Sequence, residues 1–147
     1  MVHDGREEPL AERVRNSLLA GTCLELLRDA ERPLTPAEAI ARVRERVGEF
    51  TAYELEMIAS SREVRWENAL HWYTGDMATV GWMTKTGGWQ ITDSGREALA
   101  RYDDPDELLR VLHRLRQQVY SERKRAAERL APVEREITAA LGEVAAG

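Results

Sequence analysis

Residues 66–92 read WENALHWYTGDMATVGWMTKTGGWQIT, and two patterns inside this stretch decide the fold. Trp66, Ala69, Leu70, Tyr73, Met77 and Val80 recur at steps of three and four, the spacing of one buried helix face. Gly81 stands where a left-handed residue closes such a helix. Two short alternating runs follow, WMTKT (82–86) and WQIT (89–92), on either side of Gly87-Gly88, which predicts a β-hairpin. The local order is therefore helix, then hairpin.

Upstream, Ser60-Ser61-Arg62 interrupts the helical pattern, and residues 50–58 are short and mixed, with Thr51 as a cap for a turn or two of helix. Thr35-Pro36 supplies an N-cap and a first-turn proline for Ala37–Val47, where Ile40, Val43 and Val47 form the apolar face ahead of Gly48. Leu10, Val14, Leu18, Cys23, Leu24, Leu26 and Leu27 mark a first helix that Arg32-Pro33 ends. Residues 1–9 are a charged arm without periodicity. Downstream, Asp93 or Ser94 caps a helix over GREALARY (95–102), which stops near Asp104-Pro105. Three helices, a hairpin and a further helix give a mostly α (α+β) chain. Its expected architecture is a winged helix-turn-helix over residues 10–102, the third helix entering a DNA major groove and the hairpin wing reaching the backbone.

Residues 103–147 change character. Leu108, Leu112, Leu115, Val119, Ala126, Leu130, Val133, Ile137, Leu141 and Val144 are spaced almost entirely by threes and fours, as in one long helix or two stacked ones. Pro132 marks a kink or a new first turn, and Glu122 interrupts the seam. Such a stripe packs back on its own domain, pairs as a coiled coil, or spaces the domain from another.

The 147 residues, 43% hydrophobic and 32% charged, suit one ordinary domain with a helical appendage. Apolar runs fall far short of the roughly 20 residues that span a bilayer. The acidic, polar start MVHDGREEPL is unlike a signal peptide, so a cytoplasmic protein is expected. Cys23 is the single cysteine, which excludes an internal disulfide and reads as a core side chain. His3, His71 and His113 lack metal-ligand spacing, and no cofactor is expected. A formal net charge of −5 confines any DNA contact to a local patch. One such patch is Arg110, His113, Arg114, Arg116, Arg123, Lys124, Arg125 and Arg129, opposed by Glu122 and Glu128.

For base reading, the third helix offers Arg65, Asn68, His71 and Thr74 on its outer face, since arginine pairs with guanine and asparagine with adenine. Ser60, Ser61 and Arg62 are the expected phosphate contacts at its N-terminus. Thr84, Lys85 and Thr86 are the expected wing contacts. Four tryptophans lie between residues 66 and 89, most of them expected in the core. Trp72 is counted among the expected DNA contacts, and an exposed Trp or Tyr beside the third helix or the wing would form a niche for the methyl group of a modified base.

The segments VRWENALHWYTGDMATVGW (64–82) and GGWQITDSGREAL (87–99) resemble the N-terminal domain of the Mrr family of restriction proteins. The resemblance runs from about Leu18 to Tyr102 and rests on Trp66, Asn68, Trp72 and Gly81, then Trp89, Thr92 and Gly95 after the wing. Ala69, Tyr73 and Trp82 depart from it, Ala69 standing where the family has arginine. The resemblance implies DNA binding by a domain attached to a nuclease of the PD-(D/E)xK type; the expected partner is double-stranded DNA. That nuclease is not in this chain. Its nearest lookalike, Glu122-Arg123-Lys124, lies in the helical tail, so no enzyme is expected. A homodimer is expected from the tail. The rival readings are a stand-alone dimeric transcription regulator and a protein-interaction winged helix.

Overall fold

The structure, a computed structural model, describes residues 13–146; the expected arm and the expected start of the first helix at Leu10 lie outside the described residues. Helix α1 (Asn16–Asp29) is buried along most of its length, with Leu19, Cys23, Leu24, Leu26 and Leu27 in the core. It is apolar on more than one face because other elements pack around it. Helix α2 (Pro36–Val47) begins with the expected cap: Thr35 Oγ accepts from the Glu38 N–H, and Glu38 accepts from the Thr35 N–H. Only Ala39 and Val43 of α2 are fully buried, since its other side faces solvent.

Residues 50–58 open as their sequence reading expects, with one turn of helix capped by Thr51, and depart from it at Met57–Ile58. A second capping box, Thr51 with Glu54, starts helix α3, but it lasts only from Ala52 to Leu55. Strand β1 (Met57–Ile58) follows and pairs antiparallel with β2 (Glu63–Val64), Met57 opposite Val64 and Ile58 opposite Glu63. Ser60-Ser61-Arg62 is thus the turn of a small hairpin, and Arg62 takes a left-handed φ of 57°. Strands of two residues are too short to show alternation, which is why the sequence reads them as helix and loop.

Helix α4 (Arg65–Thr79) leaves β2 directly and closes at Gly81, whose φ is 86°. Trp66, Leu70, Thr74 and Met77 line its buried face. The second hairpin, β3 (Met83–Thr84) and β4 (Gln90–Ile91), pairs Met83 with Ile91 and Thr84 with Gln90. Leu34, from the link between α1 and α2, adds a third rung by bridging to Trp89 through hydrogen bonds of 3.0 and 2.7 Å. Gly88 is required at that bridge: its φ is 111°, and a Cβ there would lie 2.9 Å from the Pro33 side chain.

Helix α5 (Asp93–Arg101) is capped by Thr92, not by Asp93 or Ser94 as expected. Thr92 is the extended residue whose Oγ accepts from the N–H three positions on, that of Gly95. Helix α6 (Pro105–Ala146) is one continuous helix through Pro132. Leu108, Val111 and Leu112 enter the common core, while Leu130, Val133, Ile137, Leu141 and Val144 are exposed.

One ion pair fixes the entry to this arrangement. Glu54 is completely buried and accepts from the Arg15 guanidinium at 2.8 and 3.3 Å, from the Arg15 N–H at 3.3 Å and from the Thr51 N–H at 3.0 Å. Burial alone raises a carboxyl pKa; here the Arg15 and Thr51 hydrogen bonds outweigh it and hold Glu54 below its ordinary 4.5. Arg15→Ala, which strands this carboxylate, is expected to cost about 2 kcal/mol in urea unfolding. That is less than the ~3–5 kcal/mol of a fully buried pair, because Arg15 is 38% exposed. The Glu54 contribution is complete above the ordinary carboxylate pKa and is lost as pH falls through its lower folded value. Glu54→Gln is therefore expected to flatten the loss of stability below pH 4.5.

Candidate nucleic-acid interface

Helix α4 carries Arg65, Asn68 and Trp72 at steps of three and four, on a stripe away from its buried face. Trp72 is 70% exposed, whereas Trp66, Trp82 and Trp89 are buried. His71 is half-buried beside this stripe, its ring edge-on to Trp89 at 6.1 Å between centroids. Thr74 leaves the expected reading set. It is fully buried with Trp66, Leu70 and Met77, and its hydroxyl donates to the His71 carbonyl at 3.1 Å.

The first hairpin borders the N-terminal end of this stripe. Arg65 donates to the Glu56 carboxylate at 3.1 Å and the Tyr53 carbonyl at 3.2 Å, with its guanidinium 4.1 Å from the Tyr53 ring centroid. Asn68 donates to Glu63 at 3.0 Å, and Arg44, lying over Trp66, donates to Glu67 at 2.9 Å. Of the expected base readers, Arg65 and Asn68 are thus held by carboxylates, and Arg65 also by the backbone of the preceding segment. Nothing in the spacing of Tyr53, Glu56 or Arg44 signals this, because the partners lie 9 to 23 residues away. Ser60, Ser61 and Arg62 are exposed at the hairpin turn rather than at the helix N-terminus, three to five residues ahead of Arg65. The N-terminus itself has no side-chain cap.

The second hairpin borders the middle of the helix. Thr84, Lys85 and Thr86 are exposed, and the Lys85 ammonium lies 5.1 Å from the Trp89 ring centroid. Partial desolvation there pulls the Lys85 pKa below the ordinary lysine value. Trp89 therefore touches both His71 of α4 and Lys85 of the hairpin. Beneath it Cys23 is buried, which pushes its thiol pKa up to about 12, so it is a neutral core side chain.

On α6, Arg116 is committed to Asp76 at 3.3 Å and His113 packs edge-on to Tyr73. Arg110, Arg114, Arg123, Lys124, Arg125 and Arg129 are exposed and form no ion pair with a described carboxylate. Among the described residues no group of three or more His, Cys, Asp or Glu could hold a metal ion. No described helix is long and apolar enough to cross a membrane.

Compared with known families, the chain matches the Mrr N-terminal domain over residues 19–101. It belongs to the Mrr N-terminal domain family. No curated protein and no solved structure matches it. The family match runs from the second turn of α1 to the end of α5, so the whole of α6 lies outside it.

Several residues that carry the Mrr resemblance meet at one junction at the base of the second hairpin. The Thr92 hydroxyl donates to the Gly81 carbonyl and its N–H to the Trp82 carbonyl, while its Oγ caps α5 through the Gly95 N–H. Gly95 has no room for a side chain, since a Cβ would sit 2.1 Å from the Trp82 carbonyl oxygen. These residues tie the end of α4 to the start of α5 and so set where the hairpin leaves the body. Trp66, stacked on Phe50 at 4.5 Å, is likewise a packing residue. Gly95→Ala must displace the backbone of residue 82. It is expected to cost at least ~1–3 kcal/mol, read as a lower urea midpoint with an unchanged slope.

Proposed function

We propose that this chain is a winged-helix reader of double-stranded DNA, acting in the cytoplasm as part of a restriction system, with α4 in the major groove and the β3–β4 hairpin as the wing. The observation that carries this reading is the shared contact at Trp89, which keeps His71 of α4 and Lys85 of the hairpin beside one another. The Arg65–Asn68–Trp72 stripe and the Thr84–Thr86 tip can then engage one stretch of duplex. Membership of the Mrr N-terminal domain family supports the restriction setting.

In this reading Arg65 and Asn68 exchange their carboxylate partners for base edges. Exposed ion pairs of this kind contribute about 0–1 kcal/mol, and a good bidentate base contact discriminates by about 1–3 kcal/mol. The exchange is therefore favourable at a matching base. Lys85, Ser60, Ser61 and Arg62 hold phosphates. Trp72 offers an apolar face to a methylated base. Catalysis belongs to an attached nuclease domain, and two copies act on one duplex.

A protein-interaction role has one observation in its favour, the carboxylates of Glu56 and Glu63 already seated on the candidate readers Arg65 and Asn68. Titration of duplex DNA over a range of salt separates the two. The DNA reading expects log K to fall linearly with log salt, and Lys85→Ala to reduce that slope by about 1 with a uniform loss across sequences. No retention of duplex at low salt would favour the protein partner. Matched methylated and unmethylated duplexes test Trp72: Trp72→Ala is expected to abolish a preference for the methylated strand while leaving the unfolding midpoint unchanged. Equal affinity of the parent chain for both duplexes would remove the methyl niche.

A further inference from the structure

The outer part of α6 carries an apolar face on which no described residue packs. Leu130, Ile137 and Val144 repeat every seven residues, as do Ala126, Val133 and Ala140, and the two sets interleave at steps of four and three. Leu130, Val133, Ile137 and Val144 are exposed. The helix there is continuous, and Pro132 falls on its outward side, where the Glu128 carbonyl that loses its partner is open to water.

We infer that this face pairs with the same face of a second copy as a parallel, in-register coiled coil from Ala126 to Val144. The stripe is about 28 Å long at 1.5 Å per residue. In the heptad so defined, Leu130, Ile137 and Val144 occupy the first core position, where the β-branched Ile137 and Val144 suit a two-stranded coil. The small Ala126 and Ala140 at the alternate position let the two helices approach closely.

Charge decides the orientation. In a parallel pair each flanking residue meets the flanking residue five positions on in the second copy. Arg129 then faces Glu134 of the second copy, and by symmetry the contact forms twice. One heptad earlier the core position falls on Arg123, which meets Arg123 of the second copy with a Glu122 beside each, so the apolar coil begins only at Ala126. An antiparallel pair centred on the same stripe would also bring Arg129 to Glu143 twice, but it would set Glu134 against Glu134 and Glu136 against Glu136. Like charges so placed are repulsive. Parallel pairing also keeps both α4 stripes at one end of the coil. It deepens the two-copy part of the DNA reading, but its test uses no DNA, so either can fail without the other.

The full chain is examined by sedimentation equilibrium and by oxidative cross-linking of single-cysteine additions, Cys23 being buried. The parent is expected to sediment at twice the mass of one chain. Ile137→Asp is expected to sediment at the mass of one chain, with unchanged tryptophan fluorescence, because the four tryptophans lie between residues 66 and 89. Ala140→Cys alone is expected to form a covalent dimer, whereas the parent does not. A monomeric parent, or a dimer that survives Ile137→Asp, would overturn the pairing. Cross-linking only when Ala140→Cys and Leu130→Cys chains are mixed would overturn its parallel orientation, since those positions face each other in an antiparallel coil.

Discussion

Two backbone hydrogen bonds between Leu34 and Trp89 decide where the second hairpin lies, and the arrangement around α4 follows from them. A two-residue pairing such as β3–β4 is not stable alone. Leu34, held between α1 and α2, lends it a third rung, and the buried Trp89 indole anchors it to the core. Gly88 admits the close approach on one side, and the Gly81–Thr92–Gly95 junction fixes the exit on the other. The tip with Lys85 is left as the part free to meet a ligand.

The electrostatics of the candidate face follow from the same economy of charge. An acidic chain cannot attract a polyanion over its whole surface, and on α4 Arg65 and Asn68 are already engaged by Glu56 and Glu63, and Glu67 by Arg44. Near solvent these contacts are weak and exchangeable. The Arg15–Glu54 pair is of another kind: its carboxylate is fully buried and has several donors, so it acts as structure rather than as a reservoir of charge. Exposure separates ion pairs that a ligand can displace from those that hold the fold.

Helix α6 divides in the same way. Its first turns contribute Leu108, Val111 and Leu112 to the core and bind Asp76 through Arg116. Its later turns keep the same apolar period with no partner among the described residues. One periodic pattern thus serves two purposes, and only the distance from the body distinguishes them.

Much of this was legible in the sequence. Helical spacing marked α1, α2, α4 and α6, Gly87-Gly88 marked the hairpin, and Thr35-Pro36 and Thr51 marked their caps, because these signals act over one or two turns of chain. The residues around Trp66, Gly81, Thr92 and Gly95 likewise pointed to the Mrr N-terminal domain family. What tertiary structure decided were contacts between distant residues: the Leu34 rung, the β1–β2 pairing, the burial of Thr74, and the carboxylates on Arg65, Asn68 and Arg44. It also decided that Trp72, alone of the four tryptophans, faces solvent. Local spacing fixes which side of a helix is apolar, but which neighbour covers that side, and where cover ends, depends on the path of the whole chain.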